Sequence, residues 1–178
     1  MEMKIYDPKK ILVPVDFSEL SMGALRAGLE IGGKWDAEVL VLHISTFSDH
    51  MPSYAELEIA GVSPRSQRRE DTRMELESRL DLLLKEISAG PKVRSTLLFG
   101  TPTADILNTA QSGNFDLIVM ATHGRKGLSR LLLGSVTEQV VRRAPCPVFV
   151  VRSKVVEKKI AEAAAEERAT APLSAGAS

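Results

Sequence analysis

Residues 121–136, "ATHGRKGLSRLLLGSV", gather side chains that suit an anion. Glycines at 124, 127 and 134 let a ligand approach the main chain closely. Arg125, Lys126 and Arg130 add positive field. Gly134-Ser135 opens "SVTEQVVRRAP", which has a helical pattern, and the free N–H groups at a helix start attract anions. One reading is a phosphate site. The other is a turn shaped by Gly124 and Gly127 before a helix capped by Ser135. Composition and spacing leave both open. Neither common phosphate loop is present: there is no Gly-Lys-Ser/Thr run of the Walker type, and the first apolar run ends in "PVDFS" rather than G-x-G-x-x-G.

Other chemistries find less support. Gly134-Ser135 lacks the G-x-S-x-G elbow of a serine hydrolase, and Ser129 has Gly127 before it but Leu131 after it. The histidines divide by setting. His43 ends an apolar run and reads as a structural histidine, and His50 shows no partner. His123 lies at the glycine-rich stretch, where it can touch phosphate or fix the loop. No His/Asp/Glu spacing suggests a preformed metal site. Thr122, His123 and the cations offer no base to position water against a phosphate, so the expected turnover is absent or slow.

These residues need elements to place them. Five apolar runs read as strands: "KILVPVDF" (10–17), "AEVLVLHIS" (37–45), "KVRSTLLFG" (92–100), "FDLIVMATHG" (115–124) and "CPVFVVRS" (146–153). They are nearly continuous rather than alternating, as strands covered on both faces are. Helical patterns fill the gaps. Ser18 is an N-cap candidate, Ala24, Leu25, Gly28 and Leu29 share a face, and the Gly32-Gly33 pair offers a stop. Leu76, Leu80, Leu83, Leu84 and Ile87 form a stripe that Gly90-Pro91 ends. Thr101 and Pro102 start a helix that Gly113 ends. Ser135 and Glu138 have capping-box spacing, with Arg142 and Arg143 in the last turn. Strands alternating with helices imply right-handed crossovers: an α/β fold with a doubly wound, open, five-stranded parallel sheet and helices on both faces, Rossmann-like in layout. Ligands of such sheets sit outside the strands' carboxyl ends.

The 178 residues suit one domain, expected over 1–153, with a tail over 154–178 that is helical at first and then disordered. Residues 46–68 read as a polar insertion without one assignable conformation. Net charge is zero, so a strongly basic footprint for nucleic acid is absent. One cysteine, Cys146, excludes an internal disulfide. The start lacks a signal peptide's apolar core, and no run is long enough to span a bilayer, so a cytoplasmic protein is expected. The last run puts Val148, Phe149, Val150 and Val151 in a row without a lysine. At a sheet edge, such a strand pairs with its own copy, and a homodimer is expected.

"KILVPVDFSELSMGAL", "AEVLVLHI" and "DLIVMATHGRKGLSRLLLGSVTEQVVRRAPCPVFVVR" together resemble the universal stress protein family over residues 8–153. The nucleotide-binding signature of that family, G-x2-G-x9-G-(S/T), falls on Ala121, Gly124, Gly134 and Ser135, so alanine stands where the first glycine belongs. The resemblance implies ATP as ligand, with Mg²⁺ held through its phosphates. It implies that Pro14 and Val15 line the adenine side, that Asp16 accepts from the ribose, and that the main chain at Ile44 meets the adenine. Met120, Ala121, Thr122, His123, Gly124, Arg125, Lys126 and Gly127 are to wrap the phosphates, with Gly134, Ser135, Val136 and Thr137 closing the other side. Dimers through the last strand are common in the family. The implied function is a nucleotide-dependent regulatory protein of stress physiology, at most a slow ATPase. The alternative is a dimeric interaction module of the same fold that does not bind nucleotide.

Overall fold

A computed structural model describes residues 6–46, 65–87, 90–122 and 134–152. Its strands are β1 (Lys10–Val15), β2 (Glu38–Ser45), β3 (Val93–Phe99), β4 (Leu117–Ala121) and β5 (Val148–Val151). Among the described residues the helices are α1 (Glu19–Trp35), α2 (Arg65–Glu86), α3 (Pro102–Ser112) and α4 (Ser135–Arg143). The strands form one five-stranded sheet in the order β3-β2-β1-β4-β5, every pair parallel. The chain winds outward from β1 to β3, returns to β4 beside β1, and winds outward again. The strand order therefore reverses between β1 and β4, where α/β sheets bind ligands.

Side chains alternate between two cores. On one face Ile11, Val13, Val15, Val39, Val41, Val119 and Ala121 pack against Ala24 and Leu25 of α1 and Leu80 of α2. On the other, Leu12, Leu40, Leu42, Ile118 and Met120 pack against Ile106, Leu107 and Ala110 of α3 and Val140 of α4. Burial on both faces is why these strands read as continuous apolar runs.

The helix ends refine the sequence reading. Ser18 is the N-cap of α1, and its hydroxyl accepts the Ser21 N–H. Gly32-Gly33 do not stop α1, which runs on to Trp35 and closes on Asp36 at φ 49°. Gly32 serves packing instead: a Cβ there would come within 2.7 Å of Val39 Cγ2 and 3.0 Å of Pro91 Cγ. Thr101 occupies the N-cap of α3, but its side chain makes no capping bond. Its own N–H is taken by Asp105 Oδ2 at 2.7 Å. Gly134, not Ser135, is the N-cap of α4, so the capping-box reading fails there. Glu138 pairs with Arg142 at 3.0 Å instead. Helix α2 begins at Arg65, inside the stretch read from sequence as an insertion. The readings for residues 47–64 and for the tail after 152 fall outside the described residues.

Residues 6–10 are fastened to the start of β4. Asp116 Oδ2 accepts the N–H groups of Lys9 and Lys10 at 2.9 and 2.8 Å, and the Tyr6 hydroxyl donates to the Asp116 carbonyl. Burial, reinforced by the nearby Asp116 carboxylate, pushes the Cys146 thiol up from its ordinary pKa.

Candidate functional site

A proline inside β1 sets the geometry of the switch point. The Lys10 carbonyl accepts the Asp116 N–H, so it faces β4. The two-residue period of a strand turns the main-chain groups of Leu12 and Pro14 the same way. Pro14 has no N–H to give. The ladder between β1 and β4 runs only through Ile11–Leu117 and Leu12–Ile118, whereas β1 and β2 stay paired to Val15–His43. The carboxyl ends of the two central strands are thus released from each other where strand order reverses. Proline is uncommon in a central strand, and here it opens one.

Asp16 stands at the end of β1 in a tight turn. Its Oδ1 accepts the Ser18 N–H at 3.0 Å and the Ser18 hydroxyl at 2.5 Å, and its own N–H donates to Ser21 Oγ at 3.2 Å. The carboxylate is therefore fixed to the start of α1. Across the opening, β4 ends at Ala121, Thr122 follows it, and α4 begins at Ser135. Two hydrogen bonds join these ends: Gly134 N–H donates to the Thr122 carbonyl at 2.7 Å, and the buried Thr137 hydroxyl donates to the Ala121 carbonyl at 2.8 Å. Among the described residues no side chain caps α4, and Ser135, its first residue, is exposed. A helix start without a side-chain cap leaves N–H groups for a ligand.

The structure gathers Pro14, Val15 and Asp16, Ile44, Met120, Ala121 and Thr122, and Gly134, Ser135, Val136 and Thr137 at one edge of the sheet. His123, Gly124, Arg125, Lys126 and Gly127 lie outside the described residues. Val136 also packs against the α3–α4 core. The Ala121 methyl is buried in the core shared by β1, β4 and α1. His43 is structural, as its setting implied: its Nδ1 meets the Val15 carbonyl at 2.7 Å in a buried position. Sequence reasoning missed its neighbour Phe17, which has φ 60° and stacks on His43 with ring centroids 4.5 Å apart. Among the described residues no group of three His, Cys, Asp or Glu side chains could hold a metal ion.

A family model of universal stress proteins matches residues 8–152. The chain belongs to the universal stress protein family. The universal stress protein MJ0531 of Methanocaldococcus jannaschii is 34% identical over 146 residues, covering 81% of this chain and 82% of the relative. A second protein of that organism, MJ0577, is 32% identical over 155 residues, covering 82% of this chain and 96% of the relative. The solved structure of MJ0577 superposes on this universal stress protein with a TM-score of 0.68 at 31% identity, covering 84% of this chain and 98% of that one. No described helix is long and apolar enough to cross a membrane.

Proposed function

We propose that this universal stress protein binds ATP at the released ends of β1 and β4 and serves as a nucleotide-dependent regulator in the cytoplasm. The observation that carries the reading is the start of α4, which no described side chain caps and which is stapled to the end of β4, in the strand next to the one whose end carries the fixed carboxylate of Asp16. The helix start suits phosphate and the carboxylate suits ribose hydroxyls. The residues fit ATP in a second respect. Ala121, which replaces the first signature glycine, sends its methyl into the core, so the departure does not argue for a module that has lost nucleotide. Mg²⁺ travels with the phosphates in this reading, where it offsets their charge. The main chain of Gly134–Thr137 and of residues 120–127 holds the phosphates, and Pro14, Val15 and Ile44 border the base. The sequence offers no obvious base to position water, and in this reading the protein turns ATP over slowly or not at all.

Proteins of this fold have been solved with cAMP, and with AMP in Arabidopsis thaliana, but at 22% and 20% identity they speak for the fold alone. A homodimer through β5 belongs to the same proposal, supported by the edge position of that strand and its half-exposed Phe149. In this reading the tail, residues 154–178, is not needed for folding or for ATP binding. Titration calorimetry with ATP and Mg²⁺ tests the binding. Asp16→Ala should weaken ATP at least about tenfold, the worth of a hydrogen bond to a charged group. Wild-type protein that shows no heat with ATP and carries no adenine nucleotide after purification refutes the reading.

A further inference from the structure

We infer that Phe17 is a positioning residue for the ribose of the bound nucleotide, with its ring clamped between His43 and Arg79 so that the turn carrying Asp16 is held in one conformation. The inference rests on the ATP reading for its ligand, while the clamp is a property of the chain itself.

Among the described residues three that are not glycine have positive φ: Phe17 at 60°, Asp36 at 49° and Asn114 at 50°. Asp and Asn enter the left-handed region readily because their short polar side chains bond locally. Phenylalanine has no such compensation and adopts that conformation only where its surroundings impose it. The surroundings are visible here. The ring lies 4.5 Å from the His43 ring, inclined at 47°. On Phe17 the Arg79 guanidinium carbon sits 4.3 Å from the ring centroid. His43 is fixed in turn, since its Nδ1 meets the Val15 carbonyl at 2.7 Å. The stack thus ties β2 and α2 to the residue between Asp16 and Ser18. A second contact, Arg73 over Phe99 at 4.9 Å, holds α2 to the end of β3.

The left-handed step at Phe17 brings Ser18 back onto Asp16, so that both Ser18 donors reach Oδ1. An extended residue at 17 would carry Ser18 away and release the carboxylate. A glycine would reach the same turn without strain but would not be held there. The bulky residue therefore replaces freedom with a clamp, and the orientation of Asp16 depends on aromatic and cationic contacts from two other elements.

Phe17→Gly separates this role from plain stability, because it removes ring and strain together. The readouts are amide hydrogen exchange at Asp16 and Ser18, ATP affinity by calorimetry, and the melting temperature. In Phe17→Gly both amides should exchange at least about tenfold faster, and ATP should bind at least about tenfold more weakly, as expected for loosening a hydrogen-bonded carboxylate. Phe17→Tyr should restore both. Arg79→Ala, which removes one layer from an exposed position, should move both in the same direction by less, and it decides the matter if Phe17→Gly does not fold. Parental exchange at Asp16 and Ser18 in Phe17→Gly, or in Arg79→Ala under that condition, overturns the clamp. Faster exchange with unchanged ATP affinity overturns its role toward the ribose. If the wild type binds no ATP, the functional reading falls, while the exchange rates still decide the clamp.

Discussion

The Thr137 hydroxyl is a small group with a large expected effect. It is buried and donates to the Ala121 carbonyl at 2.8 Å, which joins the first turn of α4 to the last residue of β4. Thr137→Val replaces the hydroxyl with a methyl of similar size, keeps the β-branch, and barely changes helix propensity. What it removes is the donor, leaving a buried carbonyl unpaired at about 1–3 kcal/mol. In a chain of this length each kcal/mol lowers the melting temperature by about 2–4 °C. A loss near the middle of that range corresponds to roughly 4–8 °C in scanning calorimetry. Because the bond aims the N–H groups of α4, ATP affinity should fall with it. Thr137→Ser gives the contrast. It keeps the donor and loses one buried methyl, about 0.8 kcal/mol, so it should lose some stability and little affinity. A Thr137→Val protein that melts and binds ATP like the parent would refute the idea that this bond aligns the site.

Two helical glycines should respond oppositely to alanine. Gly28→Ala should destabilise, because its Cβ would lie 2.6 Å from Cγ2 of Val13, which is fully buried in the central strand; an overpacking cost of about 1–3 kcal/mol exceeds the helix gain of roughly 0.5–1 kcal/mol. Gly23→Ala meets nothing within 4 Å and should stabilise by that gain, again read by calorimetry. Sedimentation should find a dimer at micromolar concentration and a monomer for Val150→Lys, which sets like charges across the proposed β5 axis. At alkaline pH the raised thiol of Cys146 predicts a sign. Stability is full below the unfolded thiol's pKa of about 8.5 and is lost as pH rises through the folded value, and Cys146→Ala should flatten that limb of the denaturation curve.

How far the sequence could be read depended on whether a signal was local. The inner strands β1, β2 and β4 were legible because burial on both faces leaves a continuous apolar run, and the switch point followed from the alternation of strands with helices. Gly32-Gly33 looked like a stop because a glycine announces freedom but not what approaches it; Val39 and Pro91 supply the reason from elsewhere. Ser135 looked like a cap because its spacing to Glu138 fits one, yet the Thr122 carbonyl holds Gly134 in that place. Pro14 was visible, but its effect required knowing that its missing N–H faces β4. Phe17 gave no signal, since its conformation is set by His43 and Arg79, far along the chain.

The bond between Gly134 and the Thr122 carbonyl brings two chain positions to 2.7 Å of each other, with residues 123–133 between them. A doorway of that kind need not care how long the corridor behind it is. Doubling the span between fixed ends costs only about 0.6 kcal/mol in closure entropy. An entire reporter domain whose own termini lie close together can therefore be spliced in at this threshold without straining the sheet. It would interrupt the stretch proposed to hold phosphate, so its signal would track that stretch directly. The junction that fastens α4 to β4 is thus also the natural port for turning this fold into a sensor.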